Sequence, residues 1–315
     1  MRTLAIDIGG TKVSLAIVDF TADVPEFVAG QTVLTSELSL PSALPKAQDL
    51  IRWINTESMS LVRDNGSVDS IGVGFGGQFD SGAQRALTSL HVTGWDGYDI
   101  AELFSTESML RKIPIVGVND AKAAALAEAS TYASSLVPES KQEVFLYMTL
   151  STGIGGAFAL LQPMTGRVEI FNGAQSLAGE LGHLQVHEPR QLFPDQICAC
   201  GGTNCLERVC SGLWIQRRTS SSASDYLADE SNFSDWIADL TSGLWSAITL
   251  LDPAVICIGG GMSAMGKPLE QALKESIAQR CTVWGRKPPE VILAHWGSRS
   301  VLLGAALLAR EVGNS

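Results

Sequence analysis

The chain has 315 residues, of which 45% are hydrophobic and 17% charged, a length for one large domain or two and a composition that excludes a disordered chain. Its 22 Lys and Arg against 33 Asp and Glu leave a net charge of −11, which argues for no nucleic acid and no anionic membrane as partner while allowing a small anionic ligand at a local site. No apolar run is long enough to cross a bilayer, and six cysteines in a chain opening MRTLAIDIGG, without a signal-peptide pattern, point to a cytoplasmic setting and to metal ligation before disulfides.

Two apolar runs, Leu4–Ile8 and Val13–Phe20, read as strands joined by the tight turn Gly9-Gly10-Thr11-Lys12, and Val28–Thr35 reads as a third strand. Residues 41–63 have helical spacing through Leu50, Ile51, Ile54 and Leu61. Ser70–Phe75 is a short strand entering a glycine turn, and Ile113–Val118 a buried strand before an Ala-rich helix from about Ala121 to Ala133. Glu143–Leu150, Ser151–Gly156 and Ala157–Leu161 then repeat the opening pattern of strand, Gly/Thr turn and strand, which suggests two halves of similar fold. Residues 219–234 are Ser/Asp-rich and read as a loop; Trp236, Leu240, Leu244, Ile248 and Leu251 have helical spacing; Ala254–Ile258 and Val291–Ala294 are strands. Val301–Ala309 is apolar nearly all round and reads as a buried closing helix. Strands alternating with helices make the class α/β.

Two glycine motifs are set aside. Gly72 to Gly77 fits G-x-G-x-x-G, but no helical pattern starts at Gln78, as dinucleotide binding requires; Gly261 to Lys267 fits G-x-x-x-x-G-K, but Pro268 stands where a magnesium-binding hydroxyl belongs.

The chemistry-bearing residues fall in four groups. Asp7, Gly9, Gly10, Thr11 and Lys12 place a carboxylate at a strand end, then two glycines, a hydroxyl and a cation. Such a turn suits phosphate on backbone N–H groups and magnesium on Asp7, although a plain hairpin also favours two glycines. Thr152 and Gly153 offer a second such turn. Asn119 and Asp120 stand where a strand passes into a helix, a place for an N-cap or for a general base acting on a sugar hydroxyl. His183 with Cys198, Cys200 and Cys205 supplies four tetrahedral ligands, with none left open, for structural zinc; Cys210, Cys257 and Cys281 lack such spacing and read as core thiols. Glu180 and Glu207 flank the knot and suit paired sugar hydroxyls. His91, His187 and His295 show no partner pattern.

Together these motifs resemble the ROK family of sugar kinases, in order and over essentially the whole chain. Asp7–Lys12 resembles its first phosphate motif, Asn119-Asp120-Ala121 its base motif, Leu150–Gly156 its second phosphate motif, Glu180-Leu-Gly182-His183 its E-x-G-H sugar motif, Cys198–Glu207 its C-x-C-G-x-x-G-C-x-E motif, and Gly259, Gly260 and Gly261 its adenosine motif. The resemblance implies a two-domain actin-like ATPase fold with an interdomain cleft, residues 1–117 plus 298–315 forming one domain and 118–297 the other. It implies ATP with Mg2+ at the glycine turns and sugar at Gly76, Gly77, Asn119, Asp120, Glu180, His183 and Glu207. Asp120 would be the general base on the 6-hydroxyl of a hexose, and a homodimer is the expected assembly. Glucose is the first expectation for the sugar, with N-acetylmannosamine, N-acetylglucosamine, fructose or allose as alternatives; the acidic charge offers no track for polyphosphate as donor. Repressors of the family carry a winged helix before the first motif, for which Asp7 leaves no room, and both glycine turns with Asp120 favour an enzyme over a sugar-binding sensor. Three positions depart from the pattern: Lys122 replaces Asn, Gly76-Gly77 replaces Pro-Gly, and Asn204 replaces the glycine before the third cysteine, where it would tolerate a left-handed backbone.

Overall fold

The structure, a computed structural model, describes residues 1–22, 24–38, 47–89, 94–105, 109–137, 141–186 and 197–313. His91, His187 and the predicted helix start at Pro41 lie outside them. The chain divides into two compact units, one of Met1–Ala127, Asn172–Ala178 and Arg299–Ser315, the other of Glu128–Phe171 and Gly179–Ser298. The sequence-based boundaries differ at three places: 118–127, with Asp120, and 172–178 group with the first unit, and Ser298 with the second.

In the first unit, β1 (Arg2–Ile8), β2 (Lys12–Asp19), β3 (Glu26–Leu34), β4 (Ser70–Phe75) and β7 (Ile115–Asn119) form one sheet, while β5 (Gln78–Asp80) and β6 (Arg85–Thr88) make a separate hairpin. The sheet order is β3-β2-β1-β4-β7, with β1–β2 and β2–β3 antiparallel and β1–β4 and β4–β7 parallel. β4 is buried along its whole length and β1 beyond its first residue, so both read as continuous apolar runs rather than alternating ones. Helix α1 (Ala47–Asn65) seats Leu50, Ile54 and Leu61 in a core that includes Ile6, Leu15, Val73, Phe75 and Trp95.

The second unit repeats this plan. β8 (Glu143–Leu150), β9 (Ile154–Gln162), β10 (Arg167–Ile170), β11 (Val255–Gly259) and β12 (Glu290–Leu293) take the order β10-β9-β8-β11-β12, with the same alternation of two antiparallel and two parallel pairings. The repeat read from two short strand–turn–strand patterns is therefore a repeat of whole sheets.

Helix α2 (Asp120–Ala133) is Ala-rich because its small side chains admit close neighbours. The helices α3 (Leu206–Cys210), α4 (Gly212–Thr219), α5 (Ala223–Tyr226), α6 (Glu230–Leu251), α7 (Lys267–Trp284) and α8 (Ser300–Gly313) complete the described elements. α8 is buried along Leu302–Ala306, as its composition predicts, and a side chain on Gly304 would run into the Ala123 carbonyl of α2.

The segment 219–234 is not a loop throughout. Ser222 accepts a hydrogen bond from Asp225 N–H to start α5, and the Asp229 carboxylate accepts from Ser231 and Asn232 N–H to start α6. Two of its polar residues, Ser222 and Asp229, are caps, which satisfy orphan helix donors. α7, which the sequence reading passed over, carries its own signals: Pro268 in the first turn and buried Leu269, Leu273, Ile277 and Cys281 at four-residue spacing. Cys210, Cys257 and Cys281 are fully buried core thiols, as expected. No described helix is long and apolar enough to cross a membrane.

Both discarded glycine motifs fail for visible reasons. Strand β5, not a helix, follows Gly77, and Gly72 and Gly74 make room for Ala305 and Val301 of α8. Gly261–Met265 is a 3-10 turn, not a phosphate loop, and α7 begins only at Lys267.

Candidate active site

In the first unit the carboxyl ends of β1, β4 and β7 lie side by side, Ile8 opposite Phe75 and Phe75 opposite Asn119. Ligands of α/β sheets bind at that edge, and all first-unit candidates are there. The β1–β2 turn is closed by Gly9 N–H donating to the Lys12 carbonyl at 3.1 Å. Thr35 braces it from outside, its hydroxyl donating to the Gly10 carbonyl at 2.8 Å and its N–H to the Thr11 carbonyl at 2.9 Å. Gly9 is thus committed to the shape of the turn.

Gly76 sits against both this turn and Asp120. Its N–H donates to the Ile8 carbonyl at 2.8 Å, and a Cβ there would lie 3.0 Å from that oxygen, 3.3 Å from Gly9 Cα and 3.5 Å from Asp120 Oδ2. The departure from Pro-Gly therefore stands where no side chain fits without a shift. Gly77 has a packing reason instead: its Cβ would press on the Thr88 carbonyl at 2.7 Å and Ser89 at 2.8 Å.

Asn119 and Asp120 form a fixed pair at the start of α2. Asn119 Oδ1 accepts the Lys122 N–H at 3.1 Å, capping the helix, while its Nδ2 donates to the Gly77 carbonyl at 2.9 Å and to Asp120 Oδ1 at 3.1 Å. Asp120 Oδ1 also accepts the Ala121 N–H at 2.7 Å. The N-cap and functional readings of this motif are divided between two residues: Asn119 caps, and Asp120 is oriented. Asp7 is buried, and burial foremost, then the charge of Asp120, pushes its carboxyl up to about 7, with Lys12 opposing.

The second unit places its glycine turns at the equivalent edge. Gly259 at the end of β11 pairs with Thr149 near the end of β8. The turn Ser151–Gly153 closes on itself through Ser151 N–H to the Gly153 carbonyl at 2.9 Å. It is held by the start of α4, where Gly212 and Leu213 N–H donate to the Ser151 and Thr152 carbonyls at 2.9 and 3.1 Å. Gly260 packs on Leu150 and Thr149, its would-be Cβ 2.6 Å from Thr149 Oγ1, so the second phosphate motif and the adenosine motif adjoin. Glu207 Oε2 accepts the Ile154 N–H at 2.9 Å. Glu207 therefore braces the end of the Ser151–Gly153 turn, a contact the sequence did not disclose.

The four expected metal ligands come together: His183, Cys198, Cys200 and Cys205 present ligand atoms all within 4.8 Å of one another. Cys198 Sγ lies 3.6 Å from His183 Nδ1, and Cys200 Sγ lies 3.3 Å from Cys205 Sγ. Tetrahedral zinc with Zn–S near ~2.3 Å spaces its sulfurs by roughly 3.8 Å, so the donor set fits with small adjustment. Gln185 Nε2 donates to Cys205 Sγ at 3.1 Å, a contact that orients this sulfur and for which the sequence carries no signal. The left-handed position in this loop is Gly201, at φ 86°; Asn204 does not take the left-handed backbone anticipated for it. Glu180 is exposed at the head of the 3-10 turn Leu181–His183, and its carbonyl accepts the His183 N–H at 3.1 Å.

Two sheets of one topology, each ending in a glycine turn, define an actin-like ATPase fold of the sugar-kinase type. The family follows directly: the model of the ROK family matches residues 3–312, and the chain belongs to that family. It is an ATP-dependent sugar kinase. The N-acetylmannosamine kinase of Vibrio cholerae serotype O1 is 27% identical over 324 residues, covering 99% of this chain and 100% of that protein. Among solved structures, a ROK hexokinase from Thermus thermophilus is 25% identical with a TM-score of 0.75, covering 100% of both chains. A ROK family glucokinase from Streptomyces griseus, in complex with glucose and AMPPNP, shares the fold at 23% identity and a TM-score of 0.73, covering 99% of this chain and 100% of that one.

Proposed function

We propose that the protein transfers the γ-phosphoryl group of ATP to the 6-hydroxyl of an N-acetylhexosamine, N-acetylmannosamine foremost, with Asp120 as general base. The observation that carries the reaction is the Asp120 carboxylate, anchored through Oδ1 by Ala121 N–H and Asn119 Nδ2 beside Gly76 and the first glycine turn. A sugar hydroxyl is a weak nucleophile and gains from a positioned acceptor. Asp120 takes the hydroxyl proton as the sugar oxygen bonds to the γ-phosphorus; the bond from that phosphorus to the bridging oxygen breaks, and ADP leaves. Amides of the two turns, at Gly10–Lys12 and Thr152–Gly153, meet the phosphates, and Gly259–Gly261 meets the adenosine. Asn119 of the first unit and Glu180, His183 and Glu207 of the second are assigned to the sugar hydroxyls; Asn119 is fixed by its bond to the Gly77 carbonyl and Glu207 by the Ile154 N–H.

Asp7 fits magnesium, since a buried carboxyl beside Asp120 is one that a cation would ionise; when bound, the ion supplies charge neutralisation at the transferring phosphate. Zinc at His183, Cys198, Cys200 and Cys205 would supply rigidity to the loop bearing His183, not chemistry. The sugar is chosen on the full-length relatives: N-acetylmannosamine kinases match at 27 to 28% identity over 98 to 99% of this chain, which favours that sugar over the glucose first expected. Six free cysteines suit a cytoplasmic enzyme. The test is ADP release with Mg·ATP across N-acetylmannosamine, N-acetylglucosamine, glucose and no sugar. N-acetylmannosamine should exceed glucose in kcat/KM by about tenfold or more, the net size of one ordinary hydrogen bond at its upper end; glucose equal or better would overturn the choice of sugar.

A further inference from the structure

Lys122 departs from the family pattern beside the proposed base, and the proposed mechanism does not use it. It is 3% exposed, in the first turn of α2, two residues after Asp120. Its ammonium does not point to solvent. Nζ donates to the Ser176 carbonyl at 2.7 Å and to Asn172 Oδ1 at 3.0 Å. Both acceptors lie on Asn172–Ala178, the short segment that packs with the first unit although the chain before and after it belongs to the second.

That segment is held in a costly shape. Ser176 has φ 57°, the left-handed region that a residue with a side chain rarely takes without support. Ser81 N–H donates to Ser176 Oγ at 3.2 Å, and Ala178 N–H closes the loop on the Asn172 carbonyl at 3.0 Å. Lys122 thus grips both the side chain that opens the loop and the strained residue within it. Two residues past Ala178 the chain reaches Glu180, and then His183, through Gly179, which packs too closely on Gly156 and Ala157 for a side chain. Burying an ammonium is expensive unless its hydrogen bonds are well placed, and here they are placed on the loop that delivers the sugar motif.

We propose that Lys122 is a positioning residue for the sugar: it fixes the 172–178 loop so that Glu180 and His183 enter at a set place, and it takes no part in the phosphoryl step. This rests on reading Glu180 and His183 as sugar ligands. Lys122→Met keeps the length and removes both hydrogen bonds; Asn172→Ala removes one of them without touching α2. Steady-state kinetics on the full chain should show KM for the sugar raised about tenfold or more in Lys122→Met and several-fold in Asn172→Ala, with KM for ATP within twofold of the parent. The double variant should be no worse than Lys122→Met alone, because the two share one tether. Equal rises in both KM values, or a fall in kcat alone, would overturn the proposal, since either places Lys122 elsewhere in the mechanism.

Amide hydrogen exchange supplies a readout independent of turnover. Peptides spanning 172–183 should exchange about tenfold faster in Lys122→Met, and those of β1 and β8 should not. If the parent turned over no sugar, the reading of the site would fail while exchange still tested the tether. Unchanged exchange at 172–183 would overturn the tether itself. Should Lys122→Met not fold, Asn172→Ala carries the kinetic and exchange tests alone.

Discussion

Asp7→Asn is the substitution that separates what the first site needs for function from what it needs for stability. The Asp7 carboxyl is raised from 3.8 to about 7, by burial first and by the charge of Asp120 second. In the unfolded chain it loses its proton near its ordinary value; in the folded chain it keeps it until about pH 7. Between those values the native state binds more protons than the unfolded one, so stability falls as pH rises, at about 1.4 kcal/mol per pH unit for this group. Across the window from 3.8 to about 7 the loss sums to about 4 kcal/mol, fully felt above pH 7 and absent below pH 4. Asn carries no such charge. The stability of Asp7→Asn relative to the parent should therefore climb between pH 4 and pH 7 by up to about 4 kcal/mol and then level off. The assay is urea unfolding at a series of pH values without nucleotide or magnesium. The same variant should lose turnover, because the carboxylate that costs stability is the one assigned to the metal. Parallel pH profiles for the two proteins would refute the reasoning, since they would mean that Asp7 ionises as it does in the open chain.

Asp120→Asn should lower kcat by about 10²–10⁴-fold, the usual worth of a general base, while sugar binding by calorimetry is retained; unchanged turnover would remove Asp120 from that role. Metal analysis of the purified protein should find zinc, and Cys200→Ser should lose it together with sugar affinity, because His183 shares the 3-10 turn headed by Glu180. Gly304→Ala should destabilise by about 2 kcal/mol or more, as overpacking does, since its Cβ meets the Ala123 carbonyl in the contact of α8 with α2; thermal melting reads this. Glu128→Ala should cost about 1–3 kcal/mol, as loss of a buried acceptor does, because its carboxylate takes the N–H groups of His295 and Trp296 at 2.8 and 3.0 Å.

What the chain disclosed depended on whether the signal was local. β1 and β2 were legible because one is buried on both faces and a Gly-Gly turn links them, and the metal knot was legible because three of its ligands fall within eight positions. α7 is hidden behind a false phosphate motif at its own N-terminus, and α5 behind a polar stretch in which Ser222 and Asp229 are helix caps. The contacts of Lys122 with Asn172 and Ser176 span fifty residues or more. No pattern in a single sequence relates them, so Lys122 could be seen as unusual but not as tethered. The first compact unit runs to Ala127, inside α2, where the sequence carries no break in composition to mark a boundary.

Glu207 shows how a motif residue serves more than its expected partner. It was assigned to the sugar for its place after Cys205, yet its carboxylate accepts the N–H of Ile154, the residue that follows the Thr152-Gly153 turn. Cys205 precedes α3 and Glu207 stands in its first turn, so a metal fixing Cys205 would fix the start of this helix and with it the acceptor that shapes the phosphate turn. The start of α4 holds the same turn through Ser151 and Thr152. A metal at these four ligands would thereby set both the Ser151–Gly153 turn, proposed above for a phosphate, and the 3-10 turn Leu181–His183, proposed above for the sugar. On the proposed function, such a metal would need no chemistry of its own: its contribution would be the placement of two segments of the second unit by one rigid point.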